Sequence, residues 1–251
     1  MMGLDATRVR AVVRKEVRDF RRKRSIVVTM CILPILFLVE PVVTVFLVTP
    51  TTSGAALQKS LILPLLYLLL IPTIMPSTLA AYSVVGEREQ GTLEPLLTTP
   101  IRQQEFLLGK ATSVMIPTLA LSYAVYALFL GATWLFANSI VASAVFHDGP
   151  VILALFLLAP LLAGWGIVVG MAVSVRASEA RVAQQLAMLA SFPPVGVIIL
   201  LAVGVVSPTF LVALAFAAGL LVADAFLLRF VAQMFDRERL VTGAKASKVT
   251  T

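Results

Sequence analysis

The chain has 251 residues, of which 59% are hydrophobic and 13% charged, and its mean hydropathy is +0.99. A soluble globule needs a polar surface that this composition cannot supply, so the sequence reads as an all-α integral membrane protein. The net charge of +7 is gathered into a few basic segments between apolar runs, which points to anionic membrane lipid and no nucleic acid. A single cysteine, Cys31, and a single histidine, His147, exclude an intrachain disulfide and a multi-histidine metal site.

In chain order the first element is "TRVRAVVRKEVRDFRRKRS", within residues 1–25. Val9, Val12, Val13, Val17 and Phe20 recur at three- and four-residue intervals, with Arg8, Arg14, Lys15, Arg18, Arg21 and Arg22 mostly on the other face. That periodicity predicts an amphipathic helix lying in the headgroup layer. The basic segment and the apolar run behind it are both too long for a signal peptide.

Six runs long enough to cross a bilayer follow, at about 26–48, 61–85, 111–136, 150–175, 182–206 and 208–228. They must be helices, since hydrocarbon offers no partner to an open strand. Nine Lys and Arg residues precede Ile26, three lie within 86–110, Arg176 and Arg181 lie between spans four and five, and five fall from Arg229 onward. The opposite connections, 49–60, 137–149 and around Ser207, hold only Lys59. The positive-inside rule therefore puts both termini in the cytoplasm, with 229–251 as a cytoplasmic tail. The chain reads as one transmembrane domain over 1–251, with no room for an extracellular domain.

Between spans two and three the chain runs "VVGEREQGTLEPLLTTPIRQQEFLLGK" from Val84 to Lys110. Gly91 is placed to end the second span's helix in a left-handed conformation, and Thr92 to cap a new one with Glu94 in its first turn. Leu93, Leu96 and Leu97 then share a face, and Thr99 with Pro100 marks the next helix start. A short cytoplasmic helix with an apolar face is expected, a docking surface for a partner or the membrane surface. Gly86, Gly91 and Thr92 mimic the spacing of a phosphate loop, but the lysine it needs is missing and no strand precedes it. No Walker motif occurs elsewhere, so any ATP that drives this protein is hydrolysed by another chain.

This segment resembles the most recognisable stretch of ABC-2 type transporter permeases, the membrane subunits of ATP-driven exporters. The basic amphipathic helix, "VRASEARVAQQLAML" before span five and "FDRERLVTG" after span six extend the resemblance over the whole chain. It implies that the short helix is a coupling element against an ABC ATPase, formed or shaped by Glu87, Arg88, Glu89, Gly91, Thr92, Leu93, Glu94, Leu96, Leu97 and Pro100. The leucines would dock, while the acids and Arg88 would orient the helix or pair with the ATPase. It further implies a non-catalytic, multi-pass plasma-membrane subunit, working as a homodimer or with a sister chain, above two ATPase copies that bind the ATP and magnesium.

Inside the spans the only acidic or basic residues are Glu40 and Asp224. Carboxylates at such depth are costly and point to a pathway, although both sit toward span ends, where an interfacial role is the alternative. Pro193 and Pro194 predict a bend or break in span five. Gly166 and Gly170 form a close-packing motif, within the subunit or against a second copy. An ion-gradient-driven transporter or channel is the alternative function; it predicts more buried carboxylates or paired broken helices in two related halves. An intramembrane enzyme would need a metal cluster or a nucleophile and base pair, and neither stands out.

Overall fold

The computed structural model describes residues 5–22, 24–47, 54–91, 102–147, 149–207 and 209–234. They are all-helical, with no strand among them. The helices are α1 (Ala6–Arg22), α2 (Arg24–Leu47), α3 (Gly54–Tyr67), α4 (Leu70–Glu89), α5 (Gln103–Phe136), α6 (Ser139–His147), α7 (Gly149–Arg176), α8 (Ala180–Ala190), α9 (Phe192–Ala202) and α10 (Phe210–Met234). Six candidate membrane spans result: Met30–Leu47, Ser60–Glu89, Gln104–Phe136, Val151–Arg176, Ala180–Ala202 and Phe210–Ala232. The expected short helix after Gly91 falls on 92–101, outside the described residues.

Two of the spans are built from two helices each. In the second, α3 gives way to α4 at Leu68 and Leu69, four residues before Pro72. Proline has no N–H, so the Leu68 carbonyl loses its normal ladder donor. It accepts instead from the Ile71 N–H at 3.2 Å and from the buried Tyr126 hydroxyl of α5 at 3.3 Å. The fifth span breaks at Ser191, and Pro193 and Pro194 then lie in the first turn of α9, where the missing N–H groups have no intrahelical role. Both adjacent prolines thus start a helix rather than deform one, which fulfils the expected break.

The connection expected over 137–149 contains α6, whose Val141 and Val145 are buried. Likewise α3 begins at Gly54, inside the connection expected over 49–60. Short apolar patches there are long enough for a helix on the bundle's end but too short to cross a bilayer.

Span two is the centre of the bundle. Its apolar window is 78% buried, against 17% for α2 and 11% for α10. The most extensive packing is between α4 and α7, and α4 also meets α8, α5 and α2. In a membrane, lipid tails are as apolar as leucine, so contact of this kind needs close approach of backbones. Gly166 and Gly170 of α7 supply it: a Cβ on Gly166 would lie 2.8 Å from the Thr73 carbonyl oxygen, and one on Gly170 would lie 2.5 Å from that of Ser77. The glycine motif therefore packs inside the subunit, on α4.

One turn beyond Gly170, the buried Ser174 hydroxyl enters the backbone ladder of α4. It donates to the Ala81 carbonyl at 2.6 Å and accepts from the N–H groups of Val84 at 3.2 Å and Val85 at 3.1 Å. On the neighbouring side α8 lays Ala183 and Ala187 against Ala81 and Val85 of α4.

Candidate functional site: the clasp at the end of α4

The segment with the sequence "GERE" ends α4, and Gly91 follows at φ +66°. That left-handed conformation is the one glycine adopts without steric cost, and it stops the helix as expected. Four helices converge on this end, and each of the three charged residues Glu87, Arg88 and Glu89 contacts a different one of its surroundings.

Glu87, on the inward side, lies 3.1 Å from Lys110 Nζ of α5 and is ion-paired with Lys15 of α1. Lys110 is fully buried and also pairs with Glu16 of α1 at 3.1 Å. Its third donor goes to the Ser83 carbonyl of α4 at 2.7 Å. The ammonium also lies 5.0 Å from the centre of the Phe106 ring, within range of a cation–π attraction. Lys15 is 3.3 Å from Glu16 and 3.8 Å from Asp19. Two lysines and two glutamates from three helices thus neutralise one another. Desolvation at such a site is costly, and the mutual pairing of these four groups offsets it.

The electrostatics follow the geometry. Burial pushes the Glu16 carboxyl upward, but Lys110 and Lys15 outweigh it and hold it below the ordinary value of 4.5. Burial pulls Lys15 down, but hydrogen bonding and attraction to Glu87, with Glu16, raise it above 10.5. Both groups are charged at neutral pH.

Arg88 points the other way, donating to the carbonyls of Ala177 at 3.0 Å and Val175 at 3.3 Å. These belong to the C-terminal end of α7 and the residue after it, where carbonyls lack helical donors and the helix dipole favours a cation. Glu89 accepts from the Ala180 N–H at 2.8 Å, at the start of α8, where the dipole favours an anion. The pair therefore fixes the turn between α7 and α8 from both sides.

The start of α5 is held to α1 in the same manner. Glu105 accepts from the Arg102 N–H at 3.0 Å and from the Asp5 N–H at 3.0 Å, and pairs with Arg8 at 3.6 Å. A Cβ on Gly109 would lie 2.6 Å from Val12, so the valine of α1 is seated on that glycine. The amphipathic helix α1 buries Val12, Glu16 and Phe20 on the bundle and leaves Val9, Val13 and Val17 half-buried. An acid in the middle of an apolar stripe was the sequence signal for this contact.

Of the residues expected to form or shape the ATPase contact, Glu87, Arg88, Glu89 and Gly91 are brought together here. Thr92, Leu93, Glu94, Leu96, Leu97 and Pro100 lie outside the described residues. The pathway candidates Glu40 and Asp224 lie on α2 and α10. Glu40 accepts from Thr44 at 3.0 Å within α2. Asp224 of α10 is held over Gly164 of α7, where a Cβ would be 2.7 Å from its Oδ2. Its Oδ1 is buried with no hydrogen-bond partner among the described residues.

Residues 12–175 of this chain match a family model described as ABC-2 family transporter protein. That is well over half of the chain. The chain belongs to the ABC-2 transporter family. No curated protein matches it as a relative. The matched region runs from within α1 almost to the end of α7, so it contains Glu16, Glu87, Arg88, Glu89 and Lys110. As an ABC-2 protein the chain is a multi-pass membrane component of a transporter, and the family is one of permeases, typically non-catalytic and served by a separate ATPase.

Proposed function

We propose that this ABC-2 protein is the permease half of an exporter, paired with an identical or sister subunit and driven by two ATPase copies docked at residues 87–100. Both termini then face the cytoplasm of the cell, as the basic flanks suggest, and ATP and magnesium bind on the ATPase. The observation that carries this reading is the clasp. In sequence, residues 92–101 join α4 to α5, whose adjoining ends are linked to each other and to α1 through Glu87, Lys110 and Glu16. A force applied to that segment has a direct route into spans two and three and into α1. In thermodynamic terms, ATP must favour one membrane conformation over another, and a joined set of helix ends gives it one unit to bias.

The test is co-purification from the native host's membranes. Wild type should retain a P-loop ATPase, and Leu96→Asp with Leu97→Asp should lose it while still inserting. Equal retention by the variant would remove the docking role of these leucines.

The buried Oδ1 of Asp224, without a hydrogen-bond partner among the described residues, supports the second reading, a gradient-driven transporter. In proteoliposomes the two readings separate: flux that needs the ATPase and ATP supports the first, and flux that follows an imposed ion gradient without ATP and is lost in Asp224→Asn supports the second.

A further inference from the structure

From the elbow between α1 and α2 we infer that the protein carries a binding site for one anionic phospholipid, with the headgroup on Arg21 and an acyl chain in the groove beside it. A cavity of about 500 Å³ opens there, bounded by α1, the start of the α2 span and the middle of α5. Phe20, Met30, Cys31, Pro117 and Leu121 wall it, and Arg21 is the one charged group among the described residues that line it.

Two features select this occupant. The walls are apolar, and two of them belong to candidate membrane spans, so the groove is open to acyl chains. The charge at its mouth is positive and continues outward. Arg14, Arg18 and Arg21 are exposed at helical spacing along α1. The acids of the same helix turn elsewhere: Glu16 is buried against Lys110, and Asp19 is paired with Lys15. A zwitterionic lipid would bring its own cation to this arginine stripe. An anionic headgroup brings only the complementary charge, and each basic group near a membrane surface favours it. The site does not depend on an ATPase partner.

Native mass spectrometry of the protein released from detergent, after equilibration with phosphatidylglycerol or phosphatidylcholine, tests the site. The expected result is one retained phosphatidylglycerol, at least ten-fold preferred over phosphatidylcholine. Arg21→Gln should abolish the preference, and Leu121→Trp, which fills the groove, should abolish retention while leaving Arg21 in place. If Leu121→Trp does not fold, Ala124→Phe on the same wall serves instead. Equal retention of the two lipids would overturn the proposal. So would phosphatidylglycerol retention that survives both substitutions, which would place the lipid elsewhere on the surface.

Discussion

Lys110 is the residue on which the charged end of the molecule turns. Removing one partner from a buried ionic cluster leaves the others uncompensated, at a cost of about 3–5 kcal/mol. Lys110→Met should therefore lower the thermal stability of the purified protein sharply, and adding Glu16→Gln should recover part of it by removing the orphaned acid. The pH dependence has a definite sign. Glu16 titrates below its ordinary value of 4.5 in the folded protein, so its stabilisation is present above that value and is lost as pH falls through the lower folded one. Melting curves at neutral pH and in the acid range should show wild type losing more stability than Glu16→Gln. Little of this was legible in the sequence. Glu16 and Lys110 are 94 residues apart, and helical periodicity predicts a face without predicting what covers it. The clue was an acid at the centre of the stripe Val12, Glu16, Phe20.

At the scale of the helix, the contact between α4 and α7 is the most constrained. Gly170→Ala would put a methyl 2.5 Å from a backbone carbonyl oxygen, with no flexible side chain to yield, so expression of folded protein should collapse. Ser174→Ala should cost about 1–3 kcal/mol, since the Ala81 carbonyl and the N–H groups of Val84 and Val85 lose a shared partner. A threonine retaining the hydroxyl should be milder, and unfolding in detergent compares the two. Element boundaries were well foreshadowed where local chemistry decides them: Gly91 ends α4, and Pro193 with Pro194 starts α9. The break at Leu68 was obscured, because Pro64, Pro72 and Pro76 all lie in one apolar run. Only the tertiary donor Tyr126 distinguishes the carbonyl freed by Pro72, and Tyr126→Phe should loosen that joint, read as faster amide exchange at Ile71 and its neighbours.

Across the whole molecule, the number and order of spans followed from hydropathy alone, because a bilayer leaves the backbone few alternatives. Which spans are central did not, since spans one and six are more apolar than span two yet are 17% and 11% buried against its 78%. The exposed faces of α2 and α10, with Ile35, Leu36, Leu211 and Val222 more than half exposed, are surfaces for lipid or a second subunit. Crosslinking between copies through cysteines placed at Ile35 or Leu211 would identify which face meets a partner.

The union of Glu16, Glu87 and Lys110 also sets an order of events during synthesis. The two acids leave the ribosome before the lysine that lies between them in the fold. Until residue 110 is made, Glu16 lacks its buried ammonium and α1 lacks the face of α5 on which it packs. Nascent chains arrested before Lys110 should therefore leave α1 open to protease, and chains arrested well beyond it should protect α1. Although α1 precedes α5 in the chain, it is thus secured only once α5 has been made.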